Sequence, residues 1–137
     1  MSVAVAHHTR SSSGLALAEG ARQAAYRGTD LVVIHVVESL DEDIAEANRA
    51  GISDAVDAAL AATALPDLRW DVRLVTGGRD ISEVSEALLG AVEELGPDLL
   101  VIGARRRSPM GKAFLGSVAQ NLILDADVPV LVVKSPR

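Results

Sequence analysis

Leu99-Leu100-Val101-Ile102-Gly103-Ala104-Arg105-Arg106-Arg107-Ser108-Pro109-Met110-Gly111-Lys112-Ala113-Phe114-Leu115-Gly116-Ser117 is the stretch on which the reading of this chain turns. Leu99 to Ile102 is apolar at every position, the pattern of a strand buried on both faces. At Gly103 the pattern breaks into a loop with three arginines (Arg105, Arg106, Arg107), Pro109, Gly111 and Lys112. The loop closes at Gly116-Ser117, ahead of an apolar helical segment that runs to about Leu124. A buried strand that feeds a glycine- and cation-rich loop and then a helix N-terminus suits an anion, often a phosphate. The free N–H groups of the first helical turn and the positive end of the helix dipole both point at it.

Outward from this stretch, strand and helix patterns alternate. Behind it, Val128 to Val133 reads as a closing strand. Ahead of it, Ile81, Val84, Leu88, Ala91, Val92 and Leu95 fall at helical spacing. That helix is opened by the Asp80/Glu83 capping pair and stopped by Gly96-Pro97. Val3 to Ala6 is the first strand, and a helix from Ser13 to Arg27 ends at Gly28. Leu31 to Val37, broken only by His35, is the second strand. Ser39-x-x-Glu42 has the form of a capping box and predicts a helix to about Thr63, with Gly51-Ile52-Ser53-Asp54 as an interruption. Leu68 to Val75 alternates apolar with polar, as an edge strand with one wet face does.

Five strands joined by four helical crossovers imply an α/β fold. It is a three-layer sandwich with a parallel sheet covered by helices on both faces, in one domain spanning residues 1–137. Crossovers in such sheets are right-handed, and ligands sit beyond the carboxyl ends of the strands where the strand order reverses. If the Leu99 strand lies beside the first strand, its loop borders that crevice.

Composition narrows the function classes. A chain of 137 residues with 49% apolar content can bury a real core. That core is aliphatic, since Tyr26, Trp70 and Phe114 are the only aromatic residues. So few aromatic platforms, with a net charge of −6, argue against nucleic acid as a partner. Without cysteine there is no disulfide frame, thiolate nucleophile or zinc–thiolate site. Met1 to Ala6 lacks the basic and long apolar regions of a secretory signal, and no apolar run approaches a bilayer span. A cytoplasmic protein without membrane insertion is expected.

Established nucleotide and catalytic motifs fail. Gly111-Lys112 is followed by Ala113, and Arg106 stands five before Gly111, so a Walker phosphate loop is excluded twice. The Gly-x-Gly-x-x-Gly pattern is absent after the first strand, and Ala6-His7-His8 offers no acidic cluster for a receiver-type Mg²⁺ site. His7 and His8 read as polar loop residues whose side chains diverge. His35 reads as a hydrogen-bonded core histidine. No nucleophile, base and orienting residue can be assembled, so no enzyme is expected.

What remains is specific in combination. Gly103, the glycine thirteen residues later, the adjoining Ser117 and the tail Asp125-Ala126-Asp127-Val128-Pro129-Val130-Leu131-Val132-Val133 resemble the universal stress protein family. The hallmark of that family is Gly-x2-Gly-x9-Gly-Ser/Thr before a closing Pro-Val-Leu-Val-Val strand. The resemblance extends through Val32-Val33-Ile34-His35-Val36-Val37-Glu38. It implies strand order 3-2-1-4-5, a homodimer through the strand Val128 to Val133, and ATP, with Mg²⁺, between strands one and four. Carried over by residue, Val36 lines the adenine pocket. Gly103, Arg105, Arg106 and Gly111 wrap the ribose and phosphates, and Gly116, Ser117 and Val118 meet the phosphate tail. The implied role is a regulator in stress response. The alternative is a dimeric interaction module of the same fold that binds no nucleotide.

Two departures distinguish this chain. Ala6 stands where nucleotide-binding members resemble one another in an aspartate that meets the adenine, and Arg106 stands at the second glycine of the hallmark. Loss of a charge-assisted anchor is worth about 1–3 kcal/mol. A guanidinium at Arg106 offers a phosphate partner in exchange for close backbone approach. The expectation is a site biased toward phosphate over adenine. Ser117-Val118-Ala119-Gln120 also has capping-box form, so Ser117 is expected to cap its helix.

Overall fold

Strand and helix alternate along the chain as the apolar periodicity predicts. The computed structural model describes residues 1–7, 13–78, 80–106, 113–114 and 116–134. In chain order the elements are β1 (Ser2–His7), α1 (Ser13–Arg27), β2 (Asp30–Val37), α2 (Glu42–Thr63) and β3 (Trp70–Thr76). They continue with α3 (Ile81–Leu95), β4 (Leu99–Arg106), β5 (Ala113–Phe114), α4 (Ser117–Asp125) and β6 (Val130–Lys134). β1, β2, β3, β4 and β6 form a parallel sheet in the order β3-β2-β1-β4-β6, the expected 3-2-1-4-5 with β6 as its fifth strand.

Helices cover both faces, because each inner strand alternates two apolar faces that must both leave water. On one side Val3, Val5, Leu31, Val33, Leu99 and Val101 pack with Leu17 and Ala21 of α1 and Ile52 and Val56 of α2. On the other, Ala4, Ile34, Leu100 and Ile102 pack with Leu88 and Val92 of α3 and Leu122 of α4. α1 rides close to the sheet at Gly20, where an added Cβ would overlap Val5 Cγ2 and come within 3.3 Å of Leu31 Cδ1.

Several boundaries differ from expectation, each for a backbone reason. β4 does not leave the sheet at Gly103 but runs to Arg106, since Gly103 and Ala104 keep partners in Val133 and Lys134 of β6. Beyond them Arg105 and Arg106 pair antiparallel with Phe114 and Ala113, which adds the two-residue β5. β6 begins at Val130 instead of Val128. Pro129 has no N–H for a ladder, and only its carbonyl is used, accepting from the Leu100 N–H at 2.9 Å.

α2 is continuous through Gly51, held by the burial of Ile52, Val56, Ala59 and Leu60 beyond it. Its expected capping box does not form. Asp41 is the N-cap, and Ser39 Oγ instead accepts from the Asp41 N–H, a local turn bond. The Asp80 cap is present, its carboxylate accepting from the Glu83 N–H at 2.8 Å. No helix of the described residues is long and apolar enough to cross a membrane.

Candidate functional site

The crevice arises from a divergence of two strands. β1 pairs with β2 along its full length, from Ser2 opposite Asp30 to His7 opposite His35. Its ladder with β4 covers only Val3 to Val5 opposite Leu99 to Val101. Beyond that point Ala6 and His7 lie outside the β1–β4 register, and β4 turns its remaining residues to β6 and β5. The split falls at the carboxyl ends of the strands. It also falls where the chain order reverses, since β2 and β3 extend to one side of β1 and β4 and β6 to the other.

The wall of the crevice on the α3/α4 side is apolar. Ala6, Val36 and Val118 are half-buried and pack on the same core cluster, together with Val75, Val84 and Val132. Gly77 closes in beneath Val36: a Cβ there would stand 2.9 Å from Val36 Cγ1 and 3.1 Å from the Ala87 Cβ. A flat apolar ring suits this surface better than a sugar or a phosphate does.

The crossover from β4 to β6 brings the N-terminus of α4 to the same edge of the sheet. Gly116, not Ser117, is the N-cap (φ −63°, ψ 158°), and as a glycine it brings no side chain to cap the helix. Ser117 is instead the first helical residue and exposed, so its expected capping role is corrected. The reason is register: the first intrahelical bond runs from the Gln120 N–H to the Gly116 carbonyl, at 2.9 Å. A glycine N-cap leaves its first-turn amides without a partner from its own side chain, and such amides suit an anion. α4 is anchored from behind by Asn121, whose Nδ2 donates to Ser85 Oγ at 2.9 Å, while that hydroxyl donates to the Ile81 carbonyl at 2.7 Å.

Of the residues named from sequence, the structure brings Val36 and Val118 onto one cluster and sets Gly116 and Ser117 at the start of the same helix. Gly103 lies within β4 opposite Val133, not at the mouth of a loop. Arg105 and Arg106 extend that strand in their backbone. Gly111 and His8 lie outside the described residues. Lys134, a cation the sequence reading passed over, ends β6 exposed and in register with Ala104.

His7 is the larger omission. It is not a loop residue but the last residue of β1, 8% exposed. It shares a face with Val3 and Val5, and its Nδ1 lies 3.4 Å from Nδ1 of His35. The signal was available, because Val3, Val5 and His7 keep the strand's period of two. His35 is the hydrogen-bonded core histidine expected: its Nδ1 donates to the His7 carbonyl at 2.9 Å, and its Nε2 lies 3.2 Å from Asn48 Oδ1.

The family model described as the universal stress protein family matches residues 1–134. A curated relative, the "Universal stress protein" of Mycolicibacterium smegmatis (strain ATCC 700084 / mc(2)155), is 37% identical over 119 residues, 87% of this chain and 86% of that one. Among solved structures, the universal stress protein from Archaeoglobus fulgidus in complex with dAMP aligns with a TM-score of 0.68 at 24% identity, covering 98% of each chain. A universal stress protein in complex with cAMP aligns at 0.70 and 24% identity, again over 98% of each chain. At that identity the two structures speak to the fold alone.

Proposed function

This chain belongs to the universal stress protein family, and from that premise we propose that it binds ATP in the crevice between β1 and β4. On this reading it works in the cytoplasm as a ligand-responsive regulator of stress response, not as an enzyme. The observation that carries the reading is the parting of β1 from β4 after Val5, with the N-terminus of α4 starting from a glycine N-cap that has no side chain of its own. Ala6, Val36 and Val118 suit an adenine ring, and the amides of Ser117 and Val118 suit the phosphate tail. The adenine nucleotides held by the two solved relatives support the choice of base.

Ala6 gives the base no carboxylate, so most of the affinity comes from the phosphate end. Among the described residues no cluster of His, Asp or Glu could hold a metal ion. On this reading Mg²⁺ would come with the phosphates of the nucleotide, whose oxygens would hold it. Calorimetric titration should show saturable heat with ATP, weaker heat with AMP and least with adenosine. Arg106→Ala and Ser117→Ala should each weaken ATP binding about three- to tenfold, the loss of one hydrogen bond. No heat and no thermal shift at millimolar ATP would overturn the reading.

A homodimer accompanies it. Among the described residues β6 pairs only with β4, so its outer backbone edge is open to a second copy. Leu124, 79% exposed, stands at the end of the helix leading into that edge. Sedimentation at micromolar concentration should give a dimer, and Val132→Pro, which removes a backbone donor from the edge strand, should shift it to monomer. A dimeric chain that ignores ATP would favour the interaction-module alternative.

A further inference from the structure

His35 and Asn48 lie on the α1/α2 side of the sheet, away from the apolar wall of the crevice, and the nucleotide reading gives them no task. We infer that they are positioning residues, which pin the carboxyl end of β1 and so hold one wall of the crevice in place. The inference rests on the nucleotide reading and deepens it.

Parting from β4 is what opens the crevice, and it removes the ladder that would otherwise hold Ala6 and His7 from that side. On the other side, β2 supplies restraint. The backbone register supplies part of it, with Ala6 opposite Ile34 and His7 opposite His35. The His35 ring adds a bond across that register, its Nδ1–H donating to the carbonyl of His7 at 2.9 Å. This carbonyl belongs to the last residue of β1, so fixing it fixes the plane in which the strand ends.

The ring is itself held. Its Nε2 lies 3.2 Å from Asn48 Oδ1 on α2, and the Asn48 amide is oriented by its Nδ2 donating to the Ile44 carbonyl at 2.8 Å. Because a carbonyl only accepts, the bond to His7 fixes a proton on Nδ1 of the ring. The imidazole of His7 packs against His35 at a centroid distance of 5.3 Å. Both rings are almost fully buried, so the bond to the His7 carbonyl is shielded from competing water. A chain of contacts thus runs from the backbone of α2 through Asn48 and His35 to the end of β1. Because Ala6 precedes His7 directly, movement of this peptide moves the wall on which the base would rest.

His35→Phe keeps the ring and removes its donors, whereas His35→Asn returns an amide nitrogen close to the position of Nδ1. With AMP as the probe, H35F should bind about tenfold more weakly than the wild-type chain, and H35N should recover most of the loss. Hydrogen exchange at the Ala6 and His7 amides should quicken at least tenfold in H35F, while Val3 to Val5 stay protected. If H35F does not fold, Asn48→Leu, which frees the ring from α2, should give the same pattern at reduced size. A wild-type chain that binds no AMP overturns the nucleotide reading. A binding wild type whose H35F variant binds equally well, or whose Ala6 and His7 amides exchange no faster, overturns the pin alone.

Discussion

Leu100→Ala should lower the stability of the fold by about 2–5 kcal/mol, a large share of what a domain of this size holds in reserve. Leu100 is fully buried in β4 and lies in the core cluster formed by Ala4, Ile34, Leu88, Val92, Ile102 and Leu122. Its backbone is tied on both sides, to Ala4 of β1 and to Val130 of β6, and its N–H donates to the Pro129 carbonyl. The strand therefore cannot shift to fill a void. Its neighbours cannot fill it easily either, since among the described residues this cluster has no aromatic ring to tilt into the space and Ala4 is too short to reach. The transfer loss and the cavity term both fall near the upper end of their range under those conditions.

Denaturant titration should show the midpoint falling with an unchanged slope, the mark of lost stability without a change in exposed surface. Leu124→Ala is the control: its side chain is 79% exposed, and the change should stay within about 0.5 kcal/mol. A Leu100→Ala cost below about 1 kcal/mol would mean that the α3/α4 layer can collapse onto the sheet, contrary to a rigid sheet tied on both sides.

What the chain spells out locally, it spells out well. Continuous apolar runs at Val3, Leu31 and Leu99 set the parallel sheet because a strand buried on both faces leaves few positions for a polar residue. The Asp80 cap and the Gly96 stop were legible for the same reason. Each depends on a side chain or a φ angle within a few residues, and Gly96 indeed sits at φ 55°. Legibility fails where a distant partner decides. The extension of β4 to Arg106 follows from pairing with β6 and β5, elements that come later in the chain. The Ser39 and Ser117 caps failed because Ser-x-x-Glu/Gln states only what a turn could do, while the actual helix starts were fixed elsewhere.

The site divides along the same line. Val36 and Val118 could be named from motif position, yet their contact with one cluster is a product of the sheet's closure. The sequence suggests a loop at His7 because it opens the polar run His7 to Gly14. Its burial depends on a ring from β2, 28 residues further on, that gives it a polar neighbour inside the core. A buried polar pair is hard to read from one of its members.

Gly116→Asp tests the phosphate end of the crevice with a signature that damage to the fold cannot imitate. Gly116 has ordinary extended dihedrals, and a Cβ built on it meets nothing within 4 Å, so a side chain enters without strain. An aspartate at the N-cap accepts from the amides of Val118 or Ala119 and favours the positive end of α4. Relative to glycine that gain is a few tenths of a kcal/mol. The protein should therefore be as stable as the wild-type chain or slightly more so.

For a nucleotide the consequence is opposite. The carboxylate takes the amides a phosphate would use and sets a negative charge beside it. At about 4–5 Å and an effective dielectric constant of about 20, that repulsion is worth roughly 3–4 kcal/mol. ATP should bind about 10²- to 10³-fold more weakly, with a smaller penalty for AMP and almost none for adenosine, because the effect grows with charge on the tail. Ser117→Ala, which removes a hydroxyl and leaves the amides free, should do far less. Calorimetry with the three ligands on both variants measures this ordering directly. Unchanged ATP affinity in Gly116→Asp would remove the α4 N-terminus from the site and move the phosphates toward the arginines that follow Ala104, whereas equal losses for ATP and adenosine would show that the aspartate closes the crevice by bulk instead of by charge.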